Sequence, residues 1–149
     1  MRTWTIATIT SAVVLGVLDA LWITLFAGPT YRAEMGNAVR ENFFIVPAMA
    51  FYVIYLLGLT HFVTMRTLQS STLVAVRDAA FFGFVSYGTY TLTGWAVLEP
   101  FNAMVALPDL VWGGVVSTAT VLVARVVIKR MAPAAMQGAK ASQPSSKVR

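Results

Sequence analysis

The stretch WTIATITSAVVLGVLDALWITLFA, residues 4–27, decides the fold. It carries a single charge, Asp19. About 20 apolar residues at helical rise cross the hydrocarbon core of a bilayer, so this run has the length of a membrane span. Three further runs resemble it. Phe43 to Met65 contains His61 and no charge, Ala79 to Leu98 is uncharged, and Ala103 to Ile128 holds Asp109 and Arg125. None alternates apolar and polar residues as a barrel strand would. The expected fold is an all-α membrane protein. Its four transmembrane helices (about 4–27, 43–65, 79–98 and 103–128) form a compact bundle over residues 1–130.

Composition agrees. Of 149 residues, 58% are hydrophobic and 11% charged, whereas soluble domains carry about 25% charged residues. So few charges cannot cover a water-facing surface, and lipid must cover it instead. There are no cysteines, which excludes disulfides, thiolate metal sites and a cysteine nucleophile. The net charge of +5 is not a nucleic-acid signal. The charges flank apolar runs and fill the end of the chain, where they suit anionic head groups.

The first run is expected to be a retained helix, being too long for a signal peptide and interrupted by Asp19. Gly28-Pro29 reads as a helix stop opening a polar loop to Asn42. Arg66 to Asp78 reads as a second loop, and Glu99 to Asn102 as a tight turn. Residues 131–149, rich in Ala, Ser, Pro and Lys, read as a disordered basic tail. Lys and Arg set the orientation. Arg2, Arg66, Arg77, Arg125, Lys129, Arg130, Lys140, Lys147 and Arg149 fall on one side, against Arg32 and Arg40 on the other. This positive-inside bias puts both termini in the cytoplasm. The expected location is the bacterial inner (cytoplasmic) membrane, with the lipid bilayer as partner. A homo-oligomer or a membrane-protein partner is also expected, and nucleic acid is not.

A carboxylate inside a span is costly and marks a functional or assembly site. Two such acids head the same short motif, Asp19-Ala20-Leu21-Trp22 and Asp109-Leu110-Val111-Trp112. With the first helix running outward and the last inward, Asp19 lies about 12 Å and Asp109 about 9 Å below the outer end at helical rise. An alternative start of the last helix at Pro108 would make Asp109 a first-turn acid facing the positive helix end. Each Trp shares its Asp's helix face, so its indole N–H can reach a carboxylate on a neighbouring helix. Alternatively, Trp22 and Trp112 anchor the head-group region.

Tyr87, Tyr90, Thr91 and Gly94 form a polar stripe at helical spacing on the third helix, and the second helix offers Tyr52 and Tyr55 after Pro47. The expected ligand site is a polar pocket in the outer half made by Asp19, Trp22, Tyr87, Tyr90, Asp109 and Trp112. Tyr52, Tyr55, Arg32 and Arg40 are secondary. In the competing structural reading, Asp19 accepts hydrogen bonds from Tyr90 or Trp112 and fixes the bundle. His61, the only histidine, reads as a helix-end residue. No metal or other cofactor is expected, since two aspartates are a thin ligand set for a hard cation. Gly83 and Gly88 are not a P-loop, and Gly113, Gly114 and Ser117 read as close-packing residues.

Five ordered motifs resemble a known family. They are Leu18-Asp19-Ala20-Leu21-Trp22, Tyr31-Arg32-x-Glu34-x-Gly36, Pro47 with Phe51-Tyr52-x-x-Tyr55, Tyr87-Gly88-Thr89-Tyr90, and Asp109-x-x-Trp112-Gly113. Over residues 4 to 128 the chain resembles the bacterial membrane-protein family catalogued as domain of unknown function 2177. The resemblance implies four helices and no established activity. It also implies an acid and an amide where this chain has Thr91 and Gly94, which would remove part of any shared site.

Three functions are compatible with this reading. One is binding or movement of a small or amphipathic ligand or a cation, with oligomerisation needed for a translocation path. Another is an accessory or enzymatic role in membrane or lipid metabolism, with no catalytic residue assignable. The third is a structural scaffold. The echo of Asp-x-x-Trp in antiparallel helices does not fit a two-plus-two duplication.

Overall fold

Apolar runs of membrane length become four long helices in the computed structural model, which describes residues 1–132. We label them α1 (Arg2–Ala38), α2 (Ile45–Thr67), α3 (Thr72–Val97) and α4 (Ala103–Met131). Among the described residues there is no strand. The expected tail falls outside them from residue 133 onward.

Three helices, α1, α2 and α4, are long and apolar enough to cross a membrane, where the sequence reading expected four. Helix α3 has the length, with 26 residues. Its hydroxyls and glycines (Ser86, Tyr87, Gly88, Thr89, Tyr90, Thr91, Thr93, Gly94) dilute its apolarity, and several serve packing inside the bundle. Large apolar side chains such as Ile9, Val13, Val17, Leu25, Ile54, Phe81 and Val111 stay exposed on the outer faces. Such extensive apolar exposure marks a surface that lipid covers.

Helix α1 does not stop at Gly28-Pro29. Its α-helix Arg2–Trp22 passes through a wide π turn, Ile23–Ala27, and resumes over Gly28–Met35. Pro29 stands at the start of the resumed segment, where a missing N–H costs least. Gly28 is needed there, because a Cβ would lie 2.7 Å from the Ile23 carbonyl oxygen. The α-helical stretch stops at Gly36, whose φ of 51° favours glycine, and a 3-10 turn, Gly36–Ala38, closes α1. Helix α3 begins at Thr72 with the Ser71 hydroxyl accepting the Val74 N–H, so Arg77 and Asp78 are helical. Helix α4 begins at Ala103 behind the Asn102 cap, with Pro108 inside it. That removes the alternative in which Asp109 sits in a first turn.

Helix α4 is the central member, buried along Val105, Ala106, Asp109, Gly113, Val116, Ser117, Thr120, Val121, Ala124 and Ile128. Helix α3 packs on it most closely. A Cβ on Gly113 would sit 2.6 Å from the Cβ of Tyr87, and Gly83 faces the Gly113 carbonyl. This matches the packing role expected of Gly113 and Gly114. Helix α1 presents Ala7, Ser11, Leu15 and Asp19, one buried residue per turn. Helix α2 enters the core through Tyr55 and a second π turn, Leu59–Thr64. At the basic end, the Arg125 guanidinium is buried and donates to the Ser70 and Ser71 carbonyls at 2.6 and 3.3 Å. A buried guanidinium needs acceptors, and here the α2–α3 turn supplies them.

Candidate functional site: a reciprocal aspartate–tryptophan centre

Helical rise explains why the two motifs meet. Trp22 lies about 4.5 Å beyond Asp19 toward the C-terminal end of α1, and Trp112 about 4.5 Å beyond Asp109 toward the C-terminal end of the antiparallel α4. Each Trp is therefore level with the other helix's Asp. The indole N–H of Trp22 donates to Asp109 Oδ1 at 2.9 Å, and that of Trp112 to Asp19 Oδ1 at 2.7 Å. Between them the two indoles stack, with centroids 4.5 Å apart and planes within 4°. The echo that no tandem duplication explains is thus a local two-fold arrangement of antiparallel helices.

Phenols complete the shells. Asp19 Oδ2 accepts from Tyr52 at 3.0 Å and from Tyr87 at 3.2 Å. Asp19 therefore joins all four helices. Asp109 Oδ2 accepts from Tyr31 at 2.5 Å. Both carboxyl groups are nearly sealed, 4% and 9% exposed. Among the described residues, every side chain bonded to them is an indole or a phenol, which are neutral donors. No Lys or Arg pairs with either acid among the described residues. Among the same residues, no three of His, Cys, Asp and Glu come together as a metal site would require.

The structure regroups the expected residues. Asp19, Trp22, Tyr52, Tyr87, Asp109 and Trp112 converge. Tyr90 does not, being exposed with its ring against the edge of Phe101. Of the two donors expected for Asp19, Trp112 bonds to it and Tyr90 does not; Tyr87, one helical turn earlier, donates instead. Tyr55 shares a hydrogen bond of 2.5 Å with Ser117. Arg32 and Arg40 are exposed and line a separate cleft of about 310 Å³ with Glu41. Thr91 is buried without a hydrogen-bond partner, and Gly94 is filled against by the Phe101 ring. Neither touches the acids. His61 is exposed beside Phe62.

Instead of a polar pocket, an apolar groove of about 440 Å³ runs past the stacked indoles. Trp22, Leu107, Pro108, Val111, Trp112 and Val115 line it. Both tryptophans that bond the carboxylates belong to this lining, and neither aspartate does.

Tyr31 is the site residue that the sequence reading left out. It follows Asp19 by twelve residues, which a uniform α-helix would place about 120° away around the axis. The intervening π turn absorbs about one residue and reduces this to about 20°. Replacing Tyr31 with Phe should cost about 1 kcal/mol, the scale of interhelical hydrogen bonds in membranes. Thermal unfolding in nanodiscs measures this, and an unchanged midpoint would mean that the phenol does not hold Asp109.

No curated protein and no solved structure matches the chain. The family model described as "Predicted membrane protein (DUF2177)" matches residues 4–126. That span contains both Asp-x-x-Trp motifs and every residue of the centre, and the chain belongs to this family of membrane proteins.

Proposed function

We propose that the protein spans the bacterial cytoplasmic membrane four times, with both termini cytoplasmic, and binds an amphipathic ligand in its outer half. The apolar groove takes the ligand's chain. The carboxylate pair behind Trp22 and Trp112 takes a cationic or hydrogen-bond-donating head. The observation that carries this reading is the pairing of two buried acids, which no Lys or Arg among the described residues pairs with, and an apolar groove that shares their tryptophans. Acids retained inside a span at a cost are expected to serve a partner. The nine-to-two distribution of basic residues supports the orientation.

A scaffold role is the second reading, favoured by the internal donors that already satisfy both carboxylates. Tryptophan quenching separates the two. A brominated alkylammonium amphiphile, titrated into nanodiscs, should quench in a saturable way. Val111→Phe, which fills the groove, should abolish the saturable part. Quenching that only follows the bulk brominated-lipid content would leave the scaffold reading standing.

A further inference from the structure

Beyond the aspartate centre, toward the basic end of the bundle, lies a second buried polar layer. Ser11, Thr60 and Thr120 are 0% exposed, and their hydroxyls have no hydrogen-bond partner among the described residues. They occupy three different helices at one depth. Ser11 is eight residues from Asp19, Thr60 eight from Tyr52, and Thr120 eight from Trp112. Asp19, Tyr52 and Trp112 are themselves hydrogen-bonded together. Each hydroxyl therefore lies about 12 Å from the centre along its own helix.

Further polar groups lie at neighbouring depths on both sides of this layer. Toward the acids stands the Tyr55–Ser117 pair, with the Tyr55 ring 6.0 Å from that of Tyr87. Toward the basic end, Thr64 is also buried and unpartnered. It lies about 18 Å from the centre, close to the depth of Arg125 at about 20 Å. Thr60 and Thr64 both belong to the π turn Leu59–Thr64, which packs against α1, α3 and α4. Turns of this kind are frequent at functional sites.

We infer that this hydroxyl layer holds internal water and connects Asp19 to the basic end of the bundle for proton exchange. A hydroxyl offers one donor and two acceptor sites, and a buried water makes about three hydrogen bonds to polar groups otherwise left unsatisfied. Alternating hydroxyls and waters can pass a proton from bulk water near Arg125 to an Asp19 carboxylate oxygen, each group accepting one proton and releasing another. No oxidant or co-reactant is needed. The groups facing Asp19 are Tyr52 from α2, Tyr87 from α3, and Trp112 with the nearby Asp109 from α4. The apolar groove is not part of the route, so the inference stands whether or not a ligand binds there.

Infrared spectroscopy of the protein in nanodiscs tests it. Asp19→Asn and Asp109→Asn difference spectra assign the carboxyl and carboxylate bands. Their response is then followed after a pH jump and after transfer to D2O. Replacing Thr60 and Thr120 together with Val keeps shape and removes two hydroxyls. The Asp19 response should slow about tenfold or more, equivalent to about 1.4 kcal/mol in the barrier. The matching Ser pair should restore the rate. If the Val pair does not fold, Thr120→Val alone should still slow the response. An unchanged rate in a folded Val variant would overturn the inference, as would an Asp19 that never responds in the wild type.

Discussion

Asp19→Ala is expected to lower the stability of the protein in nanodiscs by about 2–5 kcal/mol. The lower bound sums three interhelical hydrogen bonds at about 0.6 kcal/mol each. The upper bound takes each of the three unmade donors near the middle of the range of about 1–3 kcal/mol for an unsatisfied buried group. Trp112, Tyr52 and Tyr87 would all lose their acceptor, and they come from three different helices. The loss should therefore appear as cooperative unfolding of the whole bundle. Asp19→Asn keeps one acceptor oxygen, and its amide can donate to a phenol oxygen. It should cost less than half as much. Equal losses for the two variants would mean that the negative charge matters, rather than the acceptors. No loss in either would show that the centre does not hold the helices, and would favour a ligand role for the acids.

Gly113→Ala is the second large effect. One added methyl meets Tyr87 from its Cβ outward, with its Cβ 2.6 Å away. The obstruction is the base of a ring wedged between helices, which cannot swing aside. Helices α3 and α4 must separate locally. Overpacking of this kind costs about 1–3 kcal/mol. The displacement also draws the Tyr87 hydroxyl away from Asp19, so the loss should be non-additive with Tyr87→Phe in a double-mutant cycle. Gly16→Ala serves as the control, because nothing lies within 4 Å of its added Cβ. That change should be neutral or slightly stabilising, since alanine suits a helix better than glycine. A Gly113→Ala variant as stable as wild type would mean that α3 and α4 approach less closely than described.

Much of the centre was legible from spacing alone. Each Trp stands three positions after its Asp, so both share a helix face. Antiparallel helices then bring each indole to the other's acid. Small residues at Gly113 and Gly114 announced close helix packing, and the structure identified α3 as the neighbour. What misled was helical phase. Tyr87 and Tyr90 lie on one broad stripe, and no periodicity says which of them the neighbouring helix will meet. The packing of Gly113 against Tyr87 selects Tyr87 and leaves Tyr90 to the Phe101 edge. The polar pocket expected around the acids is closed because indoles and phenols fill it themselves.

The sequence by itself determined that the chain is helical and bound for a membrane, and that two acids lie at similar depth in the bundle. Those conclusions follow from length, apolarity and the high cost of a charge in hydrocarbon, which are local properties. Only the tertiary structure decided which donors each acid receives and that Tyr31 is among them. Only it showed that Gly28-Pro29 continues a helix where it was expected to end one. Those outcomes depend on rotation about helix axes. A single π turn shifts that rotation by about 100°, and its position is set by what the helix packs against.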